Sequence, residues 1–399
     1  MKNKYKRPQF NTLLKRLNEP RRFIQILFGP RQVGKTTCVE QVLEAIQLPT
    51  IFSSADAETR TDGLWITQQW ERARLKCQQT PTQTVVLVLD EIQKISNWSE
   101  TVKKCWDEDS RNHCMIQPVL LGSSSLLLQK GMSESLAGRF ELIRIPHWSY
   151  TEMAAAFNIS LDHYIFFGGY PGAADLLSDE PRWKNYVRDA LIEPAITKDV
   201  LLMTRIDKPA LLRQLFHLGA LNSGKLISYT KLLGQLQDAG NTTTLAHYLE
   251  LLNTAGLLKG LQKFTANEIR TRGSSPKFQV YNTALISAFL PETFQEIRET
   301  PDRWGHIFES AVGAHLANQA FERSLKLTYW RSGNYEVDFI LSKEDQHIAI
   351  EVKSGRKRDA LAGMKQFVKQ FSPHRTLLVG TGGMPIQEFF ETPTMALFQ

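Results

Sequence analysis

Gly29-Pro30-Arg31-Gln32-Val33-Gly34-Lys35-Thr36 fits the pattern G-x-x-x-x-G-K-[ST] at every fixed position. A loop that wraps phosphates needs glycines so that successive backbone N–H groups can converge on the anion, and it needs a helix N-terminus behind it. Both flanks supply this. Phe23–Phe28 is an apolar run that reads as the preceding strand, and Thr36–Ile46 carries a helical pattern. Gly29 and Gly34 then shape the loop. Lys35 is placed to reach the β- and γ-phosphates of ATP and Thr36 to ligate Mg²⁺, with Thr37 beside them in the same nucleotide-binding set.

Further along, Val85-Val86-Leu87-Val88-Leu89-Asp90-Glu91 is an apolar strand ending in two carboxylates. Such a pair can close any buried strand; behind a phosphate loop it reads as the second half of the site. Asp90 would join the Mg²⁺ shell, and Glu91 would orient or deprotonate the attacking water. Thr50–Ser54, Pro118–Leu121 and Glu141–Ile145 are further short apolar runs. Parallel strands covered on both faces by crossover helices need not alternate in polarity, so residues 23–147 read as a five-stranded open α/β sheet. Gly122-Ser123-Ser124-Ser125 places the hydroxyls of Ser123 and Ser124 at a strand end, where they can sense a γ-phosphate. Arg139, in Leu136-Ala137-Gly138-Arg139, has two readings: a finger that reaches a neighbouring subunit's γ-phosphate, or a surface residue capping a helix C-terminus.

The remainder divides by periodicity. Residues 148–204 read as a helical lid or linker, interrupted by Gly168-Gly169-Tyr170-Pro171-Gly172 as a turn or hinge. Residues 205–290 carry three helical patterns (Leu211, Leu212, Leu215, Phe216; Leu232, Leu233, Leu236; Leu245, Tyr248, Leu249, Leu252), then two short strands over Leu257–Phe264 and Lys277–Tyr281. That order is a winged-helix pattern. Thr243, Thr244 and His247 on the third helix either face DNA or belong to a helix packed internally. Residues 291–399 read helix, strand, strand, strand, helix, strand.

GPRQVGKT, the LDEIQ strand end, GSSS and SLAGR together resemble a branch of the AAA+ ATPases of bacteria and archaea whose members carry a C-terminal domain of uncharacterised function. The similarity runs through Gly169-Tyr170-Pro171 and the C-terminal EVDF and EVKSG segments. It implies an α/β P-loop AAA+ sheet domain followed by winged-helix and nuclease-like domains, ATP with Mg²⁺ as cofactors, and a homo-oligomeric ring, a hexamer being one option, in which Arg139 completes the next subunit's site. One departure is plain: the helical segment after Pro146 offers no second sensor arginine.

Asp338, Glu351 and Lys353 form D-x12-E-x-K. Side chains two apart on a strand share a face, so Glu351 and Lys353 point the same way, and Asp338 joins them if its strand pairs as a hairpin. Two carboxylates can hold Mg²⁺ or Mn²⁺, with Glu309 on the preceding helix as a further acidic member and Lys353 lowering the pKa of a bound water. The element order and these residues resemble the PD-(D/E)XK nuclease core, with Val337 where a Pro is usual. That resemblance leaves two roles open, cleavage of DNA or binding alone.

The 399 residues carry 48 Lys and Arg against 41 Asp and Glu, a net of +7. Residues 1–22, a basic N-terminal segment, hold eight of these cations against Glu19 alone; a second basic stretch follows Lys353 and includes Arg356, Lys357 and Arg358. Both suggest contacts with DNA, the first being open also to a solvated helix face. Charge and apolar content exclude a disordered chain. No apolar run approaches the roughly 18 residues of a membrane span, and Cys38, Cys77, Cys105 and Cys114 lack zinc-ligand spacing, so a cytoplasmic protein is expected.

Overall fold

In a computed structural model, the described residues are all except 1–4, 58–61, 81–82, 123–134, 202–205, 237–239, 266–274 and 356–360. The chain forms two compact units, Met1–Ile145 and Pro146–Gln399.

The first unit is built on five strands: β1 (Ile24–Phe28), β2 (Thr50–Ser54), β3 (Thr84–Asp90), β4 (Met115–Gly122) and β5 (Phe140–Arg144). All pair in parallel, in the order β2-β3-β4-β1-β5. The central strands are buried along nearly their whole length, which is why their sequences are continuous apolar runs. β4 starts before Pro118, which pairs opposite Leu87. Helices α1 (Pro8–Asn18), α2 (Lys35–Ala45), α3 (Leu64–Gln78) and α4 (Trp98–Arg111) cover the sheet.

The basic N-terminal segment is no separate arm. Phe10, Leu13 and Leu17 of α1 join Val39 and Val42 of α2 in one core cluster with β1, β3, β4 and β5. Its cations also have structural partners: Arg7 donates to the Val33 carbonyl at 3.0 Å, Arg16 to Gln25 Oε1 at 3.0 Å, and Arg21 to the carbonyls of Ile116 and Trp106 at 2.9 and 3.0 Å. Guanidinium forks satisfy buried carbonyls better than a solvated face would need. Trp65, Trp70, Trp98 and Trp106 are buried in this unit.

The second unit begins with α5 (Tyr150–Phe157), whose N-cap Ser149 forms a capping box with Glu152, and α6 (Leu161–Phe167), capped by Ser160. The Gly168-Gly169 turn that follows is tightly packed rather than a free hinge. Gly168 has φ +71°, and a Cβ on it would overlap Asn282 Oδ1; one on Gly169 would overlap the Trp148 carbonyl. Asn282 Oδ1 accepts from the Gly169 N–H at 3.1 Å, which seals the turn. Next come α7 (Glu180–Tyr186), α8 (Pro209–Leu221), α9 (Tyr229–Gln235) and α10 (Thr242–Thr254), then β6 (Leu258–Leu261) antiparallel to β7 (Lys277–Val280). Asn241 caps α10 by accepting from the Thr244 N–H, and Gly256, at φ +71°, follows its end. Thr243, His247 and Glu250 are exposed on α10.

After the short helices α11 (Ala284–Ser287) and α12 (Phe294–Glu299), the long α13 (Pro301–Arg323) leads into β8 (Lys326–Ser332), β9 (Tyr335–Lys343) and β10 (Gln346–Lys353), then α14 (Leu361–Phe371) and β11 (Arg375–Gly380). The sheet order is β11-β10-β9-β8, antiparallel except for the β10–β11 pair. A terminal helix, α15 (Ile386–Glu391), was not anticipated from periodicity. Phe264, just beyond β6, packs against Trp330, Phe367 and Phe371. The helical module and the C-terminal sheet therefore share one core.

Candidate functional sites

The phosphate loop runs from the carboxyl end of β1 to the N-terminus of α2. Gly34 is the N-cap of α2 with φ +84°, a left-handed conformation that glycine adopts without a Cβ penalty. The opening turn of α2 therefore points its backbone N–H groups toward the loop, where the helix dipole favours an anion. A Cβ on Gly29 would overlap the Ile145 carbonyl, so this position admits only glycine. Lys35 Nζ donates to the carbonyls of Gly29 and Pro30 at 3.0 and 2.8 Å, which arches the side chain over the loop.

Thr36 Oγ1 donates to Asp90 Oδ2 at 2.9 Å. The strand order brings this about: β4 lies between β1 and β3, and the ends of β1 and β3 face the same crevice. Burial, with the neighbouring Glu91 charge adding to it, pushes the Asp90 carboxyl above its usual range, while the Thr36 hydrogen bond opposes the shift. A hydroxyl and a carboxylate already in contact, beside a lysine and a helix N-terminus, are the donor set that Mg²⁺ and a triphosphate require, so these residues fit that pair. Glu91 has φ +53°, a left-handed conformation unusual for a side chain of its size. Its Oε2 accepts from Gln93 Nε2 at 2.6 Å, and Gln93 is buried. Gln93 lies in the LDEIQ run, but only the turn after β3 shows that it holds Glu91. Ser123 and Ser124 lie outside the described residues. Thr37, in the first turn of α2, follows Thr36 directly.

Arg139 precedes β5, and β5 pairs with β1 so that Phe140 lies opposite Ile24. Arg139 is thus at the amino ends of the strands, whereas its own chain's phosphate loop is at the carboxyl end. Its Nε and Nη2 bind Asp107 at 2.8 and 3.1 Å. This bidentate pair holds the Asp107 carboxyl below its ordinary pKa, yet a third of the Arg139 side chain stays exposed, 33%.

In the second unit, β9 and β10 pair as a hairpin, and Asp338 Oδ2 accepts from the Val352 N–H at 2.9 Å. Glu351 pairs with Lys353 at 2.9 Å. Burial first, then Asp338, pushes the Glu351 carboxyl up to about 7. Glu309, on α13, meets a residue that sequence reasoning missed: Lys277 Nζ lies 2.9 Å from Glu309 Oε1, 3.4 Å from Asp338 Oδ1 and 3.8 Å from Glu336 Oε1. Among the described residues, no three His, Cys, Asp or Glu side chains converge closely enough to hold a metal ion. Glu309, Asp338 and Glu351 are thus gathered, but not as a shared coordination shell, because a lysine stands between two of them. The basic stretch at 356–358 lies outside the described residues.

A family model described as an AAA domain matches residues 21–154. This match coincides with the loop, Asp90 and the five-stranded parallel sheet. Residues 21–154 are an AAA domain. Beyond it, models described only as domains of unknown function match 158–296 (DUF8612) and 304–394 (DUF4143). An uncharacterized protein of Haemophilus influenzae is 21% identical over 350 residues, covering 83% of this chain and 82% of its own length. An uncharacterized protein of Mycobacterium tuberculosis is 26% identical over 335 residues, with 83% and 70% coverage. Among solved structures, the Walker-type ATPase of Pyrococcus abyssi overlaps 71% of this chain and 95% of its own at 12% identity and TM-score 0.45. The Thermotoga maritima RuvB branch migration motor overlaps 67% and 91% at 16% identity and TM-score 0.35. Among the described residues, no helix is long and apolar enough to cross a membrane.

Proposed function

We propose that this chain is a Mg²⁺-dependent ATPase that assembles as a homo-oligomeric ring and acts on DNA in the cytoplasm. The observation that carries the hydrolytic part is the meeting of Thr36 and Asp90 at 2.9 Å beside the Lys35 loop. Backbone N–H groups of the loop after Pro30 and the Lys35 ammonium would bind the phosphates, with Thr37 and the serines at 123 and 124 contributing further polar contacts. Thr36 and Asp90 would hold Mg²⁺, which when bound neutralises charge on the phosphates. Glu91, fixed by Gln93, would orient the attacking water and take its proton.

Arg139 cannot serve its own loop, since it sits at the opposite ends of the strands. It would serve a neighbour's, and this is what supports an assembly.

The three helices with the β6–β7 hairpin, and the C-terminal sheet with α13 and α14, have the element orders of a winged helix and of a nuclease-like core. In this reading they bind DNA, the work of the ATPase being remodelling or translocation. A second reading, an assembly switch that recruits a protein partner through a C-terminal platform without cleavage, is favoured by Lys277 lying among the carboxylates. ATPase rates with and without single-stranded, duplex and branched DNA separate the two, run beside the same DNAs assayed for Mn²⁺-dependent cleavage. Hydrolysis indifferent to every DNA counts against the first reading; stimulation of turnover by any of them counts against the second.

A further inference from the structure

Lys277 is the first residue of β7, earlier in the chain than the α13–β10 elements that carry Glu309, Asp338 and Glu351. Its side chain is 1% exposed, and its backbone is held from two sides, opposite Leu261 on β6 and opposite Leu226. The ammonium has nowhere to go but inward. There it meets Glu309 and Asp338, donates to the Asp338 carbonyl at 3.3 Å, and lies 4.8 Å from the centre of the Phe339 ring. The oxygen partners among these also suit a hard cation: two carboxylates and a backbone carbonyl oxygen.

We infer that Lys277 is the resident cation of the C-terminal acidic cluster, occupying the position between Glu309 and Asp338 that a divalent metal ion would need, so that the wild-type chain holds this cluster without metal. Burial disfavours the charged amine, but Asp338 and Glu309 outweigh it and hold the Lys277 pKa above its ordinary value. The amine therefore stays an ammonium at neutral pH. A divalent ion entering the same space would meet a fixed positive charge a few ångströms away and would find Glu309 and Asp338 already engaged. The arrangement also explains how one charge network spans the β6–β7 hairpin, α13 and the β9–β10 hairpin.

The test is a Mn²⁺ titration of the nucleotide-free full-length chain, read from the electron paramagnetic resonance signal of free Mn²⁺. Wild type and Asp338→Asn are expected to give the same curve, because no wild-type site depends on Asp338. Lys277→Ala is expected to gain one site per chain, at least tenfold tighter than anything in wild type, and Lys277→Ala combined with Asp338→Asn is expected to lose it. Wild-type Mn²⁺ binding that disappears in Asp338→Asn overturns the inference, and so does a folded Lys277→Ala protein with no new site. If Lys277→Ala is recovered unfolded, refolding on addition of Mn²⁺ is the expected result, and failure of Mn²⁺ to restore the fold overturns it. None of these outcomes depends on ATP hydrolysis or on DNA.

Discussion

Arg139 grips Asp107 through two guanidinium nitrogens, at 2.8 and 3.1 Å, and so ties the start of β5 to the last turn of α4. The same side chain would have to leave that partner to reach a phosphate on another copy. A partly exposed pair of this kind is worth ~0.2–1 kcal/mol, a modest barrier to release.

Arg139→Ala is therefore expected to lower kcat on the order of 10³-fold with little change in nucleotide affinity. Asp107→Asn, which frees the arginine, is expected to raise turnover by up to about fivefold. Steady-state ATPase assays over a range of protein concentrations check both. An Arg139→Ala protein with normal kcat and a lower Tm makes the residue a structural pin.

Lys35→Ala removes the side-chain ammonium that donates to the Gly29 and Pro30 carbonyls of the phosphate loop. Loss of charge-assisted hydrogen bonds worth ~1.5–3 kcal/mol predicts ATP binding weaker by about 10- to 100-fold, with hydrolysis lost. Thr36→Ala, by contrast, is expected to raise the Mg²⁺ concentration at half-maximal rate while ATP alone still binds. Isothermal titration with and without Mg²⁺ distinguishes them. Unchanged hydrolysis in Lys35→Ala removes the P-loop assignment.

Glu91 combines a chemical role with an unfavourable backbone conformation, φ +53°. Glu91→Gln is expected to keep ATP binding and to lose ~10²- to 10⁴-fold in kcat. Glu91→Gly is expected to lose activity equally, yet to match or exceed wild-type stability by up to about 1 kcal/mol, because the left-handed conformation costs glycine nothing. Urea melts beside ATPase rates test this. A Glu91→Gly protein that is both inactive and markedly less stable shows that the side chain supports the fold.

The Glu351 carboxyl rises from 4.5 to about 7 on folding. A carboxyl with a raised folded pKa holds its proton more tightly in the native state. Its contribution thus favours folding at low pH and is lost as pH climbs from about 4.5 through about 7. Glu351→Gln is expected to be more stable than wild type at pH 8 by roughly 1–3 kcal/mol, with the difference closing toward pH 5. Tm against pH for the two proteins checks the sign; a gap that widens on acidification refutes the stated ionisation.

Much of the AAA domain was legible because its signals are local. A glycine loop between an apolar run and a helical run, and a carboxylate pair ending a strand, need no knowledge of distant residues. The antiparallel β9–β10 hairpin was legible for a similar reason, since it joins neighbouring segments. What escaped the sequence was long-range pairing. Lys277 and Glu309 are 32 positions apart, as are Asp107 and Arg139, and nothing in the local pattern of either pair points to the other. Two further expectations stood with alternatives because composition does not reveal packing. Glycines at 168 and 169 read as a turn or a hinge, and the structure shows a turn in which they permit close approach of Asn282 and Trp148. The N-terminal cations suggested a DNA contact or a solvated helix face, and their local pattern carried no sign that Arg7 and Arg21 fasten carbonyls inside the unit.

The bond from Arg7 to the Val33 carbonyl joins the lead-in to α1 directly to the phosphate loop. With Phe10, Leu13 and Leu17 packed against α2, the start of the chain is a handle on the nucleotide pocket. A protease that clips it, a fusion partner that pulls on it, or a binding protein that grasps it acts on the loop from behind, without entering the pocket itself. Any strain on α1 would therefore reach the phosphate loop through Arg7 and the packing of α1 on α2.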